Sequence, residues 1–276
     1  MIVEELVVLG TGNGGALKCY NTCFALKKDN EYFVVDGGGG SQILHNLKAL
    51  DIDLSSIHNI FLSHNHLDHI IGVLWLIRVI GVNIARNKDY VGNLNIYASD
   101  ETMEALTILV DMLAPSIVKN IWGTKIVKYV VKHMDELEIL GCKTMFINIH
   151  ASKEKQFGFK MEIADNKYLT FLGDEPFNKS LEKIIKNSDW ILHEAFCLDR
   201  EEKMFHAYEK GHCTVKDASE NAEFIEAKNL ILWHTKDNDL KNRNELYTNE
   251  AKQYFNGNIF VPNDLDKIEL CKKRIK

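Results

Sequence analysis

The chain has 276 residues, 46% hydrophobic and 26% charged, an ordinary balance for a globular protein long enough to bury a sizeable core. Its formal net charge of −6 argues against a broad grip on nucleic acid, because phosphate contacts need clustered Lys and Arg. The N-terminus carries Glu4 and Glu5 where a secretory leader needs positive charge, and the longest apolar run, residues 70–77, ends at Arg78 and is too short to span a bilayer. Six cysteines without a CxxC pair suit a reducing compartment. These features predict a cytoplasmic protein with no membrane attachment, built as a single domain over residues 1–276.

The elements follow an α/β order. EELVVLGTGNGG reads as a strand entering a glycine-rich turn. TCFALKK and EYFVVDGGGG read as strands joined by a DNE turn. SQILHNLKAL has helical spacing with Ser41 as its N-cap, and IHNIFLS (57–63) is an apolar strand. HIIGVLWLIRVIG is apolar nearly all round and predicts a buried helix, with a dimer surface as an alternative use of the same residues. NLNIYAS and DETMEALTILVDML give a strand and a capped helix. KIVKYVV, KTMFINI and the two halves of FKMEIADNKYLTFLGD are strands. DWILHEAF and NLILWHT are strands with the helix TVKDASENAEFIEA between them. Strands then helices, twice over, predict two packed β-sheets with helices outside. Residues 83–93 read as an exposed loop near the metal-binding end. Three local basic patches (18–20, 119–133 and the CKKRIK tail) read as solvated lysines.

Gly10-Thr11-Gly12-Asn13-Gly14-Gly15 follows a strand as a dinucleotide fingerprint would, but strands follow where that fold needs a crossover helix. The glycines, like those at 37–40, more simply permit tight loops beside a site.

The chemistry centres on SHNHLDH (63–69). Residues two apart in an extended segment share a face, so His64, His66 and Asp68 converge and His69 turns to an adjacent position. That arrangement suits two neighbouring metals, and one loop cannot complete both shells. Other strand ends supply His150, Asp174 and His234, each just past an apolar run. His45, His58, His133 and His206 join no such constellation, and His193 should face away from its neighbour Glu194.

HxHxDH with spaced His, Asp and His resembles the metallo-β-lactamase fold. The GTGNGG start, the FLGD strand end and the HEA…HCT pair resemble ribonuclease Z and its relatives, from Val3 to about His234. The resemblance implies an αββα four-layer sandwich and two divalent metals, zinc or manganese. His64, His66 and His150 would hold one ion, Asp68, His69 and His234 the other, and Asp174 would bridge. Two such ions lower the pKa of a shared water and neutralise charge on phosphate oxygens. Asp68 would also orient the nucleophile. By the same resemblance His212, held by Glu194, would protonate the leaving oxygen; a carboxylate beside an imidazole aims the ring and favours its protonated form.

Two departures bear on the substrate. Ribonuclease Z carries a long arm between its third histidine and bridging aspartate, whereas residues 151–173 here read as two strands and a turn. The family's PxKxRN appears as ALKCYN, keeping Lys18 and Asn21 as substrate-binding candidates but with Tyr20 in place of arginine. The expected activity is therefore cleavage of a small nucleotide or short RNA phosphodiester, a cyclic nucleotide in particular, as in arm-less relatives that degrade nucleotide second messengers. Ribonuclease Z itself is the alternative, as a tRNA 3′-processing endoribonuclease. A lactonase or thioesterase needs no Glu194/His212 pair, and a non-catalytic binding protein needs no full ligand set. Residues 196–211, with Phe205 and Tyr208, read as a lid that stacks on a base, or as a surface loop. The expected assembly is a homodimer.

Overall fold

A computed structural model describes residues 2–271. The first half builds one sheet and its outer helices. In chain order these are β1 (Glu5–Gly10), β2 (Cys23–Lys28), β3 (Glu31–Val35), α1 (Gln42–Ala49), β4 (Ile57–Phe61), α2 (Leu67–Ala85), β5 (Leu94–Ala98), α3 (Asp100–Leu113), α4 (Ser116–Lys119) and β6 (Ile126–Val130). The second half follows with β7 (Glu136–Ile139), β8 (Cys142–Asn148), β9 (Phe157–Ala164), β10 (Lys167–Phe171), α5 (Glu182–Ile185), β11 (Trp190–Glu194), α6 (Glu202–Phe205), α7 (Val215–Phe224), β12 (Asn229–Trp233), α8 (Arg243–Ala251), β13 (Asn258–Phe260) and β14 (Lys267–Glu269).

Each sheet has seven strands, in the orders β14-β1-β2-β3-β4-β5-β6 and β13-β12-β11-β10-β9-β8-β7. Aromatic side chains fill the space between them: Phe171 meets Trp233 at 4.7 Å and Phe24 at 5.6 Å between ring centroids, both edge to face. Burying each such ring is worth roughly 1.5–3 kcal/mol. Helices α1 to α4 cover the outer face of the first sheet through Ile43, Leu47, Val73, Ile77 and Leu106. On the second sheet, α5, α7 and α8 do the same through Ile185, Ala218, Ala222 and Tyr247. This is the αββα four-layer sandwich expected.

The predicted strands and long helices are present. The differences are instructive. Ser41 stands at the N-cap of α1 but makes no side-chain cap bond, unlike Ser99, whose oxygen accepts from the Thr102 amide ahead of α3. β7, β13, β14 and α8 lie in segments too short or too polar to show a period. Residues 83–93 are not near the end that carries the histidine cluster. Helix α2 carries the chain about 28 Å away from it, and Tyr90 donates to the carbonyl of Ile57 at the opposite end of β4. Helix α2 is long and apolar enough to cross a membrane by length and composition, but more than half of it is buried against the sheet. Of the basic tail, only Cys271 lies among the described residues.

Parallel pairing sets the location of the site. β3 and β4 are parallel with Val35 opposite Phe61, and β10, β11 and β12 are parallel with Phe171 opposite Leu192 and Glu194 opposite Trp233. Parallel strands end on the same edge, so Asp36, Ser63, Asp174, Glu194 and His234 emerge together. The glycines at 37–40 let α2 dock against that edge: the Gly37 amide donates to His69 O and the Gly72 amide to Gly38 O. A Cβ on Gly72 would lie 1.7 Å from the oxygen of Gly37. Gly72→Val is expected to destabilise the fold by about 3 kcal/mol, an overpacking penalty against rigid backbone, read as a lowered urea midpoint.

Candidate metal centre and proton donor

Three histidines are locked by their Nδ1 atoms. Ser63 gives its hydroxyl proton to Asp36 Oδ2 at 2.8 Å, so the His64 Nδ1–H donates to Ser63 Oγ at 2.9 Å. His69 Nδ1 donates to the same Asp36 oxygen at 2.9 Å. His234 Nδ1 donates to Glu194 Oε1 at 2.8 Å. Each ring therefore turns its Nε2 inward, which is what a buried carboxylate partner does for a ligating imidazole. The three Nε2 atoms surround Asp174 Oδ2 at 3.5, 3.4 and 3.4 Å. Asp68 Oδ2 adds a second carboxylate 3.4 Å from His69 Nε2 and 3.5 Å from His234 Nε2.

Electrostatics show how tightly these groups are coupled. Burial drives His64 down to about 3 despite the pull of Asp174. It works the same way on His234, yet Asp174, Asp68 and Glu194 outweigh it and raise that ring to about 10. Burial opposes ionisation of Asp68 and Asp174 too, but the surrounding imidazoles hold both carboxyls well below the usual carboxylate range.

The donor set fits divalent metal. His69 Nε2, His234 Nε2 and Asp174 Oδ1 are buried polar atoms without a hydrogen-bond partner. Among the described residues three triads lie close enough to share an ion, His64/His69/Asp174, Asp68/His69/His234 and Glu194/His212/His234; in the third, Glu194 Oε1 already accepts from both histidines. Uncompensated polar atoms are rare in a core, and neutral imidazole with carboxylate is the donor chemistry of zinc or manganese.

His66 lies beside this centre, its Nδ1 2.9 Å from His64 Nε2 and its Nε2 3.0 Å from Glu154 Oε1. His150 does not join. Its amide donates to Asn148 Oδ1 at 2.8 Å, and its ring faces outward. It is exposed, with its ring 5.5 Å from that of His133.

His212 Nδ1 donates to Glu194 Oε1 at 2.5 Å, and the Cys213 amide donates to the other carboxylate oxygen at 3.0 Å. The His212 ring stacks on Phe196 at 4.3 Å and 10°, and it lines a cavity of about 320 Å³ with His66, Asp68, Asp174 and His234. Glu194 thus holds the candidate proton donor and one candidate ligand histidine at once. As expected, His193 turns away and contacts Asn221.

The other candidates fall outside the cavity. Lys18 donates to the carbonyl of Asn238, on the far side of the glycine loop. Asn21 braces that loop by donating to Asn13 O. Tyr208 is half exposed, with its hydroxyl beside Thr214 and Asp217. Phe205 packs one layer back, against Phe196, Cys197 and Ala207. The residues 151–173 form the tight β9–β10 hairpin expected, with no arm. Asp36 and Phe196 were not singled out from the sequence. Asp36 ends an apolar strand, as Asp174 does, and that strand-end position is the signal that could have found it. The glycine loop does lie against the site: a Cβ on Gly14 would come within 3.0 Å of Asp68 Oδ2. Its base is held by the C-terminal quarter, where Thr11 donates to Asp264 and buried Arg243 donates to Thr11 and Thr235.

Residues 4–248 match the family described as Anti-Pycsar protein Apyc1. The chain belongs to this family. This chain is also 26% identical to a protein named ribonuclease Z from Lactobacillus helveticus, with 98% of each chain covered. Among solved structures it superposes on the metallo-β-lactamase fold protein YhfI from Bacillus subtilis with a TM-score of 0.77, at 17% identity and covering 96% and 99% of the two chains. Human tRNase Z, short form, gives 0.71 at 18% identity over 97% and 100%. This Apyc1-family chain therefore has the metallo-β-lactamase fold and falls in the ribonuclease Z-like group of hydrolases.

Asp36→Asn should lower metal affinity about 10–100-fold, the usual effect of losing a carboxylate that orients a ligand. Competition with a chromophoric chelator measures it. Unchanged affinity would mean that the His69 tautomer does not depend on Asp36.

Proposed function

We propose that the protein is a metal-dependent phosphodiesterase acting on a small nucleotide phosphodiester, a cyclic nucleotide being the candidate substrate. One observation carries this reading: the Glu194–His212 pair stands beside the convergent imidazoles and carboxylates and faces the same cavity. Hydrolysis of carboxylic esters or lactones has no need of so elaborately held a proton donor. Cleavage of a phosphodiester expels a basic alkoxide, and that does need one.

His64, His66 and Asp174 are the residues proposed for one ion, and Asp68, His69 and His234 for the other, with Asp174 shared; His150 stands outside this set. When bound, such ions would lower the pKa of a water and neutralise charge on the phosphate. The chain supplies the rest. Asp68 orients the attacking water, whose oxygen bonds to phosphorus. The bond from phosphorus to the leaving oxygen breaks with its electron pair on that oxygen, and His212 delivers the proton. Glu194 aims the donor, and Phe196 fixes the plane of its ring. A cytoplasmic homodimer is part of the same proposal, and the six unpaired cysteines support the compartment. The family description adds that the protein would act against Pycsar.

A second reading, tRNA 3′-end processing, is favoured by the name of the Lactobacillus relative. The tight β9–β10 hairpin leaves it without an arm to hold tRNA. Metal-loaded protein incubated with a precursor tRNA and with a panel of 2′,3′- and 3′,5′-cyclic nucleotides separates the two. Cyclic-nucleotide turnover with intact tRNA is expected; trailer removal at low enzyme would reverse the assignment.

His66→Ala should abolish hydrolysis of bis(p-nitrophenyl) phosphate, and surviving activity would sink the phosphodiesterase reading. His212→Ala should lower kcat about 10²–10⁴-fold on a nucleotide, whose leaving alkoxide needs a proton. The same change should have far less effect on the nitrophenyl diester, whose leaving group departs unprotonated. Equal losses on both substrates would remove His212 from the role of acid.

A further inference from the structure

His66 differs from the other candidate ligand histidines in the nitrogen it turns inward. His64, His69 and His234 each engage a partner through Nδ1 and present Nε2. The ring of His66 is set the other way round. Its Nδ1 stands 2.9 Å from His64 Nε2, at the centre, and its Nε2 stands 3.0 Å from Glu154 Oε1, at the rim. An ionised carboxylate only accepts hydrogen bonds, so the nitrogen beside Glu154 carries the proton. In the neutral ring Nδ1 is then the lone-pair nitrogen, and it lies beside the lone pair of His64 Nε2. Two lone pairs so close are stabilised by a shared cation, and neutral imidazole is a ligand for the divalent metals already considered.

The chain on either side of Glu154 is tethered. Lys153 Nζ donates to the carbonyl of Lys210, and Lys155 Nζ pairs with Asp100 Oδ1 at 2.5 Å, at the start of α3. Ser152 donates through its amide and its hydroxyl to Glu175 Oε2, one residue beyond Asp174. The segment between β8 and β9 is thus fastened to three separate parts of the molecule, and Glu154 lies between two of the fastenings. Both neighbouring lysines are engaged elsewhere. Among the described residues His66 is the one ion-pair partner of Glu154.

We infer that Glu154 is a positioning residue for metal binding, which fixes His66 with Nδ1 toward the ion. It does for Nε2 of this ring what Asp36 does for Nδ1 of His69 and Glu194 for Nδ1 of His234. The inference rests on the reading of His66 as a ligand and deepens it. Asp36 and Glu194 are buried, whereas the side chains of His66 and Glu154 each keep 41% of their surface exposed. Water screens this pair, so its loss costs less than the loss of a buried partner.

The test combines zinc titration against a chromophoric chelator with spectra of the zinc-loaded protein carrying ¹⁵N-labelled histidine. Glu154→Ala should weaken zinc binding about fivefold, less than the loss of a buried orienting carboxylate. Glu154→Gln keeps an oxygen that accepts from Nε2–H and should restore most of the affinity. Glu101→Ala removes the same charge from the same groove, where Glu101 faces Lys155 instead, and should bind zinc as the wild type does. In the spectra, the ring that vanishes in His66→Ala should carry its proton on Nε2 in the wild type, and that single form should be lost in Glu154→Ala. A His66 ring protonated on Nδ1, wild-type affinity in Glu154→Ala, no recovery in Glu154→Gln, or an equal loss in Glu101→Ala would overturn the inference. His66→Ala is scored separately and should weaken zinc binding by more than about tenfold. Unchanged affinity there would defeat the parent reading of His66 as a ligand. A loss there beside unchanged affinity in Glu154→Ala would defeat the role of Glu154 alone.

Discussion

Two buried carboxylates organise this molecule's chemistry. Asp36 and Glu194 are fully buried, and each is aimed at the Nδ1 side of candidate ligand histidines. An imidazole can present Nε2 to an ion only if Nδ1 carries the proton, and a carboxylate acceptor enforces that tautomer. Asp36 does so for His69 directly and for His64 through the hydroxyl of Ser63. Glu194 does so for His234 and, with the same oxygen, positions His212. The parallel strand pairs deliver both carboxylates to one edge of the sandwich, and the close approach of Gly37 to Gly72 brings α2, with Asp68 and His69, to meet them.

Much of this was legible in the sequence because it follows short periods. Apolar strands of five or six residues ending in His, Asp or Glu marked the site edge, and the HxHxDH spacing put four donors on one turn. The αββα layers followed from the repeated order of strands and helices. What escaped depends on contacts between distant segments. His150 ends an apolar strand as His234 does, and both are left-handed, but no buried carboxylate meets the His150 ring as Glu194 meets that of His234, and alternation cannot signal that. Lys18 and Asn21 match a family motif in position while serving to brace the glycine loop. Asp36 has the strand-end signature of a functional residue, yet its role appears only when β3 and β4 are paired and Ser63 comes opposite.

The aromatic residues of 196–211 show the same limit. Residue type pointed to Phe205 and Tyr208 as rings for stacking. Packing gives that place to Phe196, which follows a strand end and lies flat against His212, while Tyr208 is drawn to the cap of α7. Side chains one turn apart in a short irregular segment can face opposite ways, and composition cannot tell them apart.

The bracing of the glycine loop has a consequence for how the molecule comes into being. β1 lies at the start of the chain, but its outer neighbour is β14, and the loop after it hangs on Arg243 and Asp264. A ribosome releases those partners more than two hundred residues after β1. The strand and its loop must therefore wait, unpaired on one side, until that later segment has been made. A nascent chain holds SHNHLDH early but not the frame that closes around it, so the candidate site assembles only after the segment carrying Arg243 and Asp264 has emerged.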